Sequence, residues 1–173
     1  MDMVTRATIS ARELHKGQKR KYTGEDYIFH PIEVMQIVKS VGGTDEMLAA
    51  ALLHDVIEDC GVTYDEIELA FGEEVALLVN WLSDRSKPED GNRAYRKEID
   101  RVWISVADPQ AKTIKLADLI SNTKSIVEHD KEFAMVYVKE KELLLEVLTE
   151  GDPTLYAQAK ELVEKAKEEL GID

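Results

Sequence analysis

The sequence predicts an all-α fold on three observations. Apolar residues recur mostly at three- and four-residue spacing, alternating runs of β-branched residues are absent, and several segments open on a capping residue. The first helix is expected over residues 3–18. The second runs over 31–41, with Pro31 in a first turn that does not need its N–H and Gly42-Gly43 ending it. Thr44 caps a third helix, which carries Met47 to Ala51 into the core and with them His54. Thr63-Tyr64-Asp65-Glu66 fits a capping box that opens a short helix to Phe71, and Gly72 breaks it. A helix over 73–83 places Val75, Leu78, Val79 and Leu82 on one face. The polar loop Asp84 to Gly91 follows, holds Pro88, and is the expected mobile element. Residues 92–106, 109–129, 131–150 and 153–170 complete the set, with Asp108-Pro109 and Asp152-Pro153 as cap and first helical position.

A length of 173 residues with 44% hydrophobic content suits one domain over 1–173, with a motif-bearing core at about 10–130 and C-terminal helices at about 131–170. No apolar run reaches the roughly 18 residues of a membrane span, and the N-terminus lacks a signal-peptide pattern, so a cytoplasmic protein without membrane contact is expected. Cys60 is the single cysteine and is given no catalytic role. The formal net charge of −13 argues against a nucleic-acid partner. It also means that a phosphorylated small molecule needs a locally positive site, for which Lys16, Lys19, Arg20 and Lys21 form one cluster. The C-terminal helices either close the core or meet a second copy in a homo-oligomer.

The stretch Leu52-Leu53-His54-Asp55-Val56-Ile57-Glu58-Asp59 sets four polar residues into an apolar helix. Buried charge demands a counter-ion, hydrogen bonds or a metal, and His and Asp are both metal-ligand types. Read as one continuous helix, His54 and Glu58 share a stripe, and Asp55 and Asp59 share the neighbouring one. Further ligands must come from elsewhere. His30, between Tyr27/Phe29 and Pro31, is one candidate, and Asp118 in the apolar segment 114–120 is another, with Asn122 one turn later on its face. His15 and His129 are read as structural or exposed, and Trp81, Trp103, Phe133 and Tyr137 as core.

Those residues, in that order, resemble the HD-domain metal-dependent phosphohydrolases. The match is narrower with the hydrolase domain of RelA/SpoT-homologue alarmone enzymes and their single-domain relatives. It rests on His15-Lys16-Gly17-Gln18 through Arg20-Lys21, Tyr27 to Pro31, Ala51 to Asp59, Phe71-Gly72 with Glu74-Val75, and Lys115 to Asp118 with Asn122. The resemblance implies an HD-domain helical bundle in which His30, His54, Asp55 and Asp118 ligate one divalent cation, Mn²⁺ in this family. It implies that Glu58 and Asp59 handle the attacking water, that Arg20 and Lys21 contact the nucleotide, and that Asn122 and Ser125 orient ribose or phosphate. The substrate so implied is guanosine tetra- or pentaphosphate, losing its 3′-pyrophosphate. The segment Leu119 to Ser125 departs from the pattern of the larger enzymes, which carry two arginines and a histidine there. Other substrates, a nucleotide phosphomonoester or the 2′-phosphate of NADPH, and a catalytically silent binding scaffold, are the alternatives.

Overall fold

Capping chemistry sets the helix boundaries. Thr44 Oγ1 accepts the Met47 N–H at 3.2 Å, Thr63 and Glu66 exchange bonds in a full capping box, and Asp108 and Asp152 each accept a third-residue N–H ahead of their prolines. The computed structural model describes residues 1–173 and contains ten α-helices and one 3-10 turn. No strand forms; Lys19 and Asp26 make an isolated antiparallel bridge. The all-α expectation therefore holds. No helix is long and apolar enough to cross a membrane.

The chain falls into two compact units, residues 1–84 and 85–173. The first holds α1 (Met3–Leu14), α2 (Phe29–Ser40), α3 (Asp45–Leu53), α4 (Val56–Cys60), α5 (Tyr64–Phe71) and α6 (Glu73–Leu82). Its centre is α3, which is apolar on every side from Met47 to Leu53 and packs against α1, α2 and α6. Two boundaries depart from expectation here. The first helix stops at Leu14 rather than residue 18, because the chain turns through Gly17 at φ +84°. The helix expected to run through His54 ends at Leu53, and α4 starts afresh at Val56. Asp55 at φ −104°, ψ −1° lies off the helical minimum and carries the break.

The second unit holds the 3-10 turn Pro88–Asp90, α7 (Arg93–Ser105), α8 (Pro109–His129), α9 (Lys131–Leu145) and α10 (Pro153–Leu170). Helix α8 is largely buried and packs on α9 and α10. Its Lys112 is buried with its Nζ donating to Ser105 O at 2.9 Å and Glu150 Oε1 at 2.6 Å. That pairing satisfies an ammonium that burial alone would strongly disfavour. The loop expected to move is tied at its start: Asp100 accepts the Arg85 and Ser86 N–H groups at 2.8 Å each, and the Arg85 guanidinium stacks 3.9 Å from the Trp103 ring centre. Trp81, Trp103 and Phe133 are half-buried rather than core; Tyr137 is buried, as expected.

Gly151 closes the turn between α9 and α10, where a Cβ would meet Leu116 Cδ1 at 2.6 Å and backbone atoms of Leu148 and Lys112 at 3.2 Å. Because two of the three neighbours are backbone, they cannot rotate away. Gly151→Ala is expected to lower unfolding stability by about 1–3 kcal/mol. Urea titration checks this, and an unchanged midpoint contradicts it.

Candidate metal centre

The first unit assembles three of the expected ligands. His30 enters on the first turn of α2, His54 caps the C-terminus of α3, and Asp55 occupies the break before α4. Their ligand atoms lie within 4.8 Å of one another. Both imidazoles are 2% exposed. Asp55 Oδ2 is the shared point, 3.0 Å from His54 Nε2 and 3.8 Å from His30 Nε2. The two rings meet edge to face at 5.2 Å.

Local bonding decides which atoms face inward. His54 Nδ1 lies 2.6 Å from Ala51 O, and a carbonyl only accepts, so Nδ1 carries the proton. Nε2 then turns its lone pair toward a carboxylate oxygen. Two acceptors converging in a buried place call for a shared cation or proton, and a backbone carbonyl behind the other ring nitrogen is the usual outer support of a ligating histidine. Tyr27 supplies a second support by donating its hydroxyl to Asp55 Oδ2 at 2.6 Å. Two imidazoles and a carboxylate suit Mn²⁺, Fe²⁺, Ni²⁺ or Zn²⁺ alike. The residues present fit a divalent metal.

The break at His54-Asp55 alters the expected stripes without scattering the residues. The Asp59 N–H still bonds Asp55 O at 2.9 Å, so Asp55 and Asp59 remain one turn apart. Glu58 and Asp59 are exposed on α4. The Glu58 carboxylate accepts the Asp84 N–H, and Asp59 Oδ2 accepts from Gln18 Nε2 at 3.2 Å. The neighbouring Cys60 thiol is pushed up by burial and then by the Asp59 and Asp55 charges, which keeps it protonated and unreactive.

The segment before α2 closes on itself. Arg20 N–H bonds Glu25 O at 2.8 Å and Tyr27 N–H bonds Gln18 O at 2.9 Å, while the Lys19 ammonium pairs with Asp26. That closure sets the Arg20 guanidinium 5.9 Å from the centre of the Tyr27 ring, the same tyrosine that holds Asp55. Lys21 instead lies over Tyr22 at 5.1 Å. His15, read from sequence as structural or exposed, is buried and packs on Tyr27 with ring centres 4.8 Å apart. His129 is exposed.

In the second unit, Asp118, Asn122 and Ser125 lie on α8. Asp118 is 9% exposed and receives Asn122 Nδ2 on Oδ1 at 3.0 Å and Lys115 Nζ on Oδ2 at 3.2 Å. Lys115 entered the sequence reading only as part of the family match and was given no role of its own, although it stands three residues before Asp118 on one helical face. Nearby, burial and then Lys115 push the Lys141 ammonium from the ordinary 10.5 down to about 8; Lys97 adds to this, and Asp118 and Glu140 oppose it.

Comparison with known proteins adds the lineage. The HD domain family matches residues 7–144, running through both units, and the chain belongs to that family. It is 37% identical over 123 residues to a guanosine-3′,5′-bis(diphosphate) 3′-pyrophosphohydrolase of Aquifex aeolicus, covering 71% of the chain and 18% of that protein. It is 40% identical over 123 residues to the bifunctional (p)ppGpp synthase/hydrolase SpoT of Escherichia coli, covering 69% of the chain and 17% of that protein. The chain thus spans less than a fifth of these curated relatives. A solved structure described as a metazoan ortholog of SpoT that hydrolyses ppGpp shares the fold, with a TM-score of 0.86, 24% identity, and coverage of 95% of this chain and 96% of that one.

Two predictions follow from these contacts. Asp55→Ala should weaken divalent-metal binding by more than the roughly 10- to 100-fold that loss of an outer-shell partner costs, with the helical circular dichroism retained; calorimetric titration showing wild-type affinity contradicts the assignment. For Lys141 the native state binds fewer protons than the unfolded chain between pH about 8 and 10.5. Its contribution is therefore present above 10.5 and lost as pH falls through about 8. Lys141→Met should raise the melting temperature at pH 7 and give no gain at pH 10.5; an equal gain at both values contradicts the sign.

Proposed function

We propose that the chain is a metal-dependent phosphohydrolase that removes pyrophosphate from the ribose 3′ position of guanosine tetra- or pentaphosphate, using Mn²⁺. The observation that carries this is the buried convergence of His30, His54 and Asp55 on one point, in an HD-family chain whose curated relatives bear that activity in their names. Asp118 is the proposed fourth ligand, at the position the family resemblance gives it. A divalent ion there would lower the pKa of water and polarise a phosphoryl oxygen. The rest of the work falls to side chains of this chain.

Asp59, with Glu58 beside it, takes the proton from the attacking water as its oxygen bonds to phosphorus. The bond between that phosphorus and the ribose 3′ oxygen breaks, and the proton then passes to the departing 3′ oxygen, so that a guanosine di- or triphosphate and pyrophosphate leave. A positioned carboxylate contributes typically 10²- to 10⁴-fold to such a step. Arg20 and Lys21 hold the nucleotide: a planar guanidinium already lying over the Tyr27 ring is suited to stack on a purine, and the ammonium answers the phosphates in a chain of net charge −13. Asn122 and Ser125 are proposed to orient ribose or phosphate. The setting is proposed to be the cytoplasm, with a small nucleotide as the only obligatory partner.

Release of pyrophosphate from guanosine tetraphosphate, followed with Mn²⁺ and again after chelation, tests the reading. Activity that needs the metal is expected, with Arg20→Ala raising KM about 10-fold at little cost in kcat. Activity untouched by chelation, or a purified protein that cleaves NADPH or a nucleoside monophosphate and leaves the alarmone intact, overturns it.

A further inference from the structure

We propose that His15 and Gln18 are positioning residues that fix the Asp59 carboxylate, through a string running from His15 Nδ1 to Gln18 to Asp59. This rests on the reading of Asp59 as the group that takes the proton from water. Gln18 Nε2 lies 3.2 Å from Asp59 Oδ2, and Gln18 Oε1 lies 2.8 Å from His15 Nδ1.

The charge at one end orders the whole string. An ionised carboxylate only accepts, so the Gln18 amide must present its NH₂ to Asp59. Its oxygen is thereby turned to His15, which must donate from Nδ1. The opposite ring nitrogen agrees: His15 Nε2 is buried with no hydrogen-bond partner, so a proton placed there would be a buried donor without an acceptor. A neutral histidine side chain in water favours the proton on Nε2; the string requires the less common tautomer.

The anchor is buried and the end is exposed. His15 caps α1, with its N–H on Ala11 O at 3.0 Å, and its ring is 3% exposed. Gly17, at φ +84°, turns the chain so that Gln18 returns to the residue three before it, with the Gln18 N–H on His15 O at 2.9 Å. Asp59, by contrast, is exposed on a five-residue helix and would sample several rotamers unaided. The His15 ring also packs on Tyr27, which holds Asp55. One pair of tilted, touching rings therefore supports both carboxylates, Tyr27 directly and His15 through Gln18.

The test reads His15 by ¹⁵N NMR of histidine-labelled protein and, beside it, the kinetics of pyrophosphate release. In the wild type the proton should sit on Nδ1. Gln18→Leu removes the acceptor of the Nδ1 proton and should move the Nδ1–H resonance, with the proton staying on Nδ1 because Nε2 has no acceptor, and Asp59→Asn should move that resonance in the same direction by less. Gln18→Leu should also lower kcat about 10- to 100-fold with KM and Mn²⁺ affinity unchanged, the scale of a misplaced reacting group. Added to Asp59→Asn it should cost nothing further, because it acts through that residue. An Nε2 proton in the wild type, an Nδ1–H resonance indifferent to Gln18→Leu, or losses that multiply in the double variant each overturn the proposal. The tautomer is read without substrate, so a protein that fails to hydrolyse the alarmone removes the functional reading while the string stands or falls on the NMR alone.

Discussion

One oxygen, Oδ2 of Asp55, is the point on which the first unit's polar groups depend. Tyr27 donates to it at 2.6 Å, and the inward nitrogens of His54 and His30 face it at 3.0 and 3.8 Å. Those groups arrive from the segment before α2, from α2 itself and from the end of α3, so the packing of α2 against α3 sets their convergence. Such a concentration of polar atoms among buried aliphatic residues is costly unless each atom has a defined partner. Ala51 O meets that need for His54 Nδ1, and in doing so determines that Nε2 is the atom offered inward.

The interruption of the helix at His54-Asp55 follows from the same requirement. In an unbroken α-helix adjacent side chains diverge by about 100° around the axis and cannot converge on one point. Ending α3 at Leu53 and restarting at Val56 brings two consecutive side chains to the same place, while the bond from Asp59 N to Asp55 O keeps the following turn in register. The local irregularity is thus where the chain departs from regular helix in order to build a site. Helix α3 tolerates the loss because its seven buried residues, Met47 to Leu53, hold it in the core.

Much of this was legible in the residues. Caps at Thr44, Thr63, Asp108 and Asp152 are local chemistry and mark the helix starts they were expected to mark. The mismatch of His54-Asp55 with its apolar surroundings, and of His30 with its aromatic ones, pointed to the three residues that do converge. What escaped were features set by contacts across the chain. The break after Leu53 has no glycine or proline to announce it. Tyr27 read as an aromatic neighbour of His30, because its hydroxyl finds Asp55 only through a separation of 28 residues. His15 and Gln18 carried no mismatch at all, since a polar residue past a helix end needs no explanation until its distant partner is seen. Asp100, which ties the loop start, lies 14 residues from Ser86 and was hidden for the same reason.

Anomalous diffraction at the manganese edge, from crystals grown with Mn²⁺, tests the convergence most directly. The account predicts one strong peak within coordination distance of His30 Nε2, His54 Nε2 and Asp55, with the His54 Nδ1 contact to Ala51 O retained. A peak bound elsewhere, or one that touches the carboxylate and neither imidazole, would contradict it.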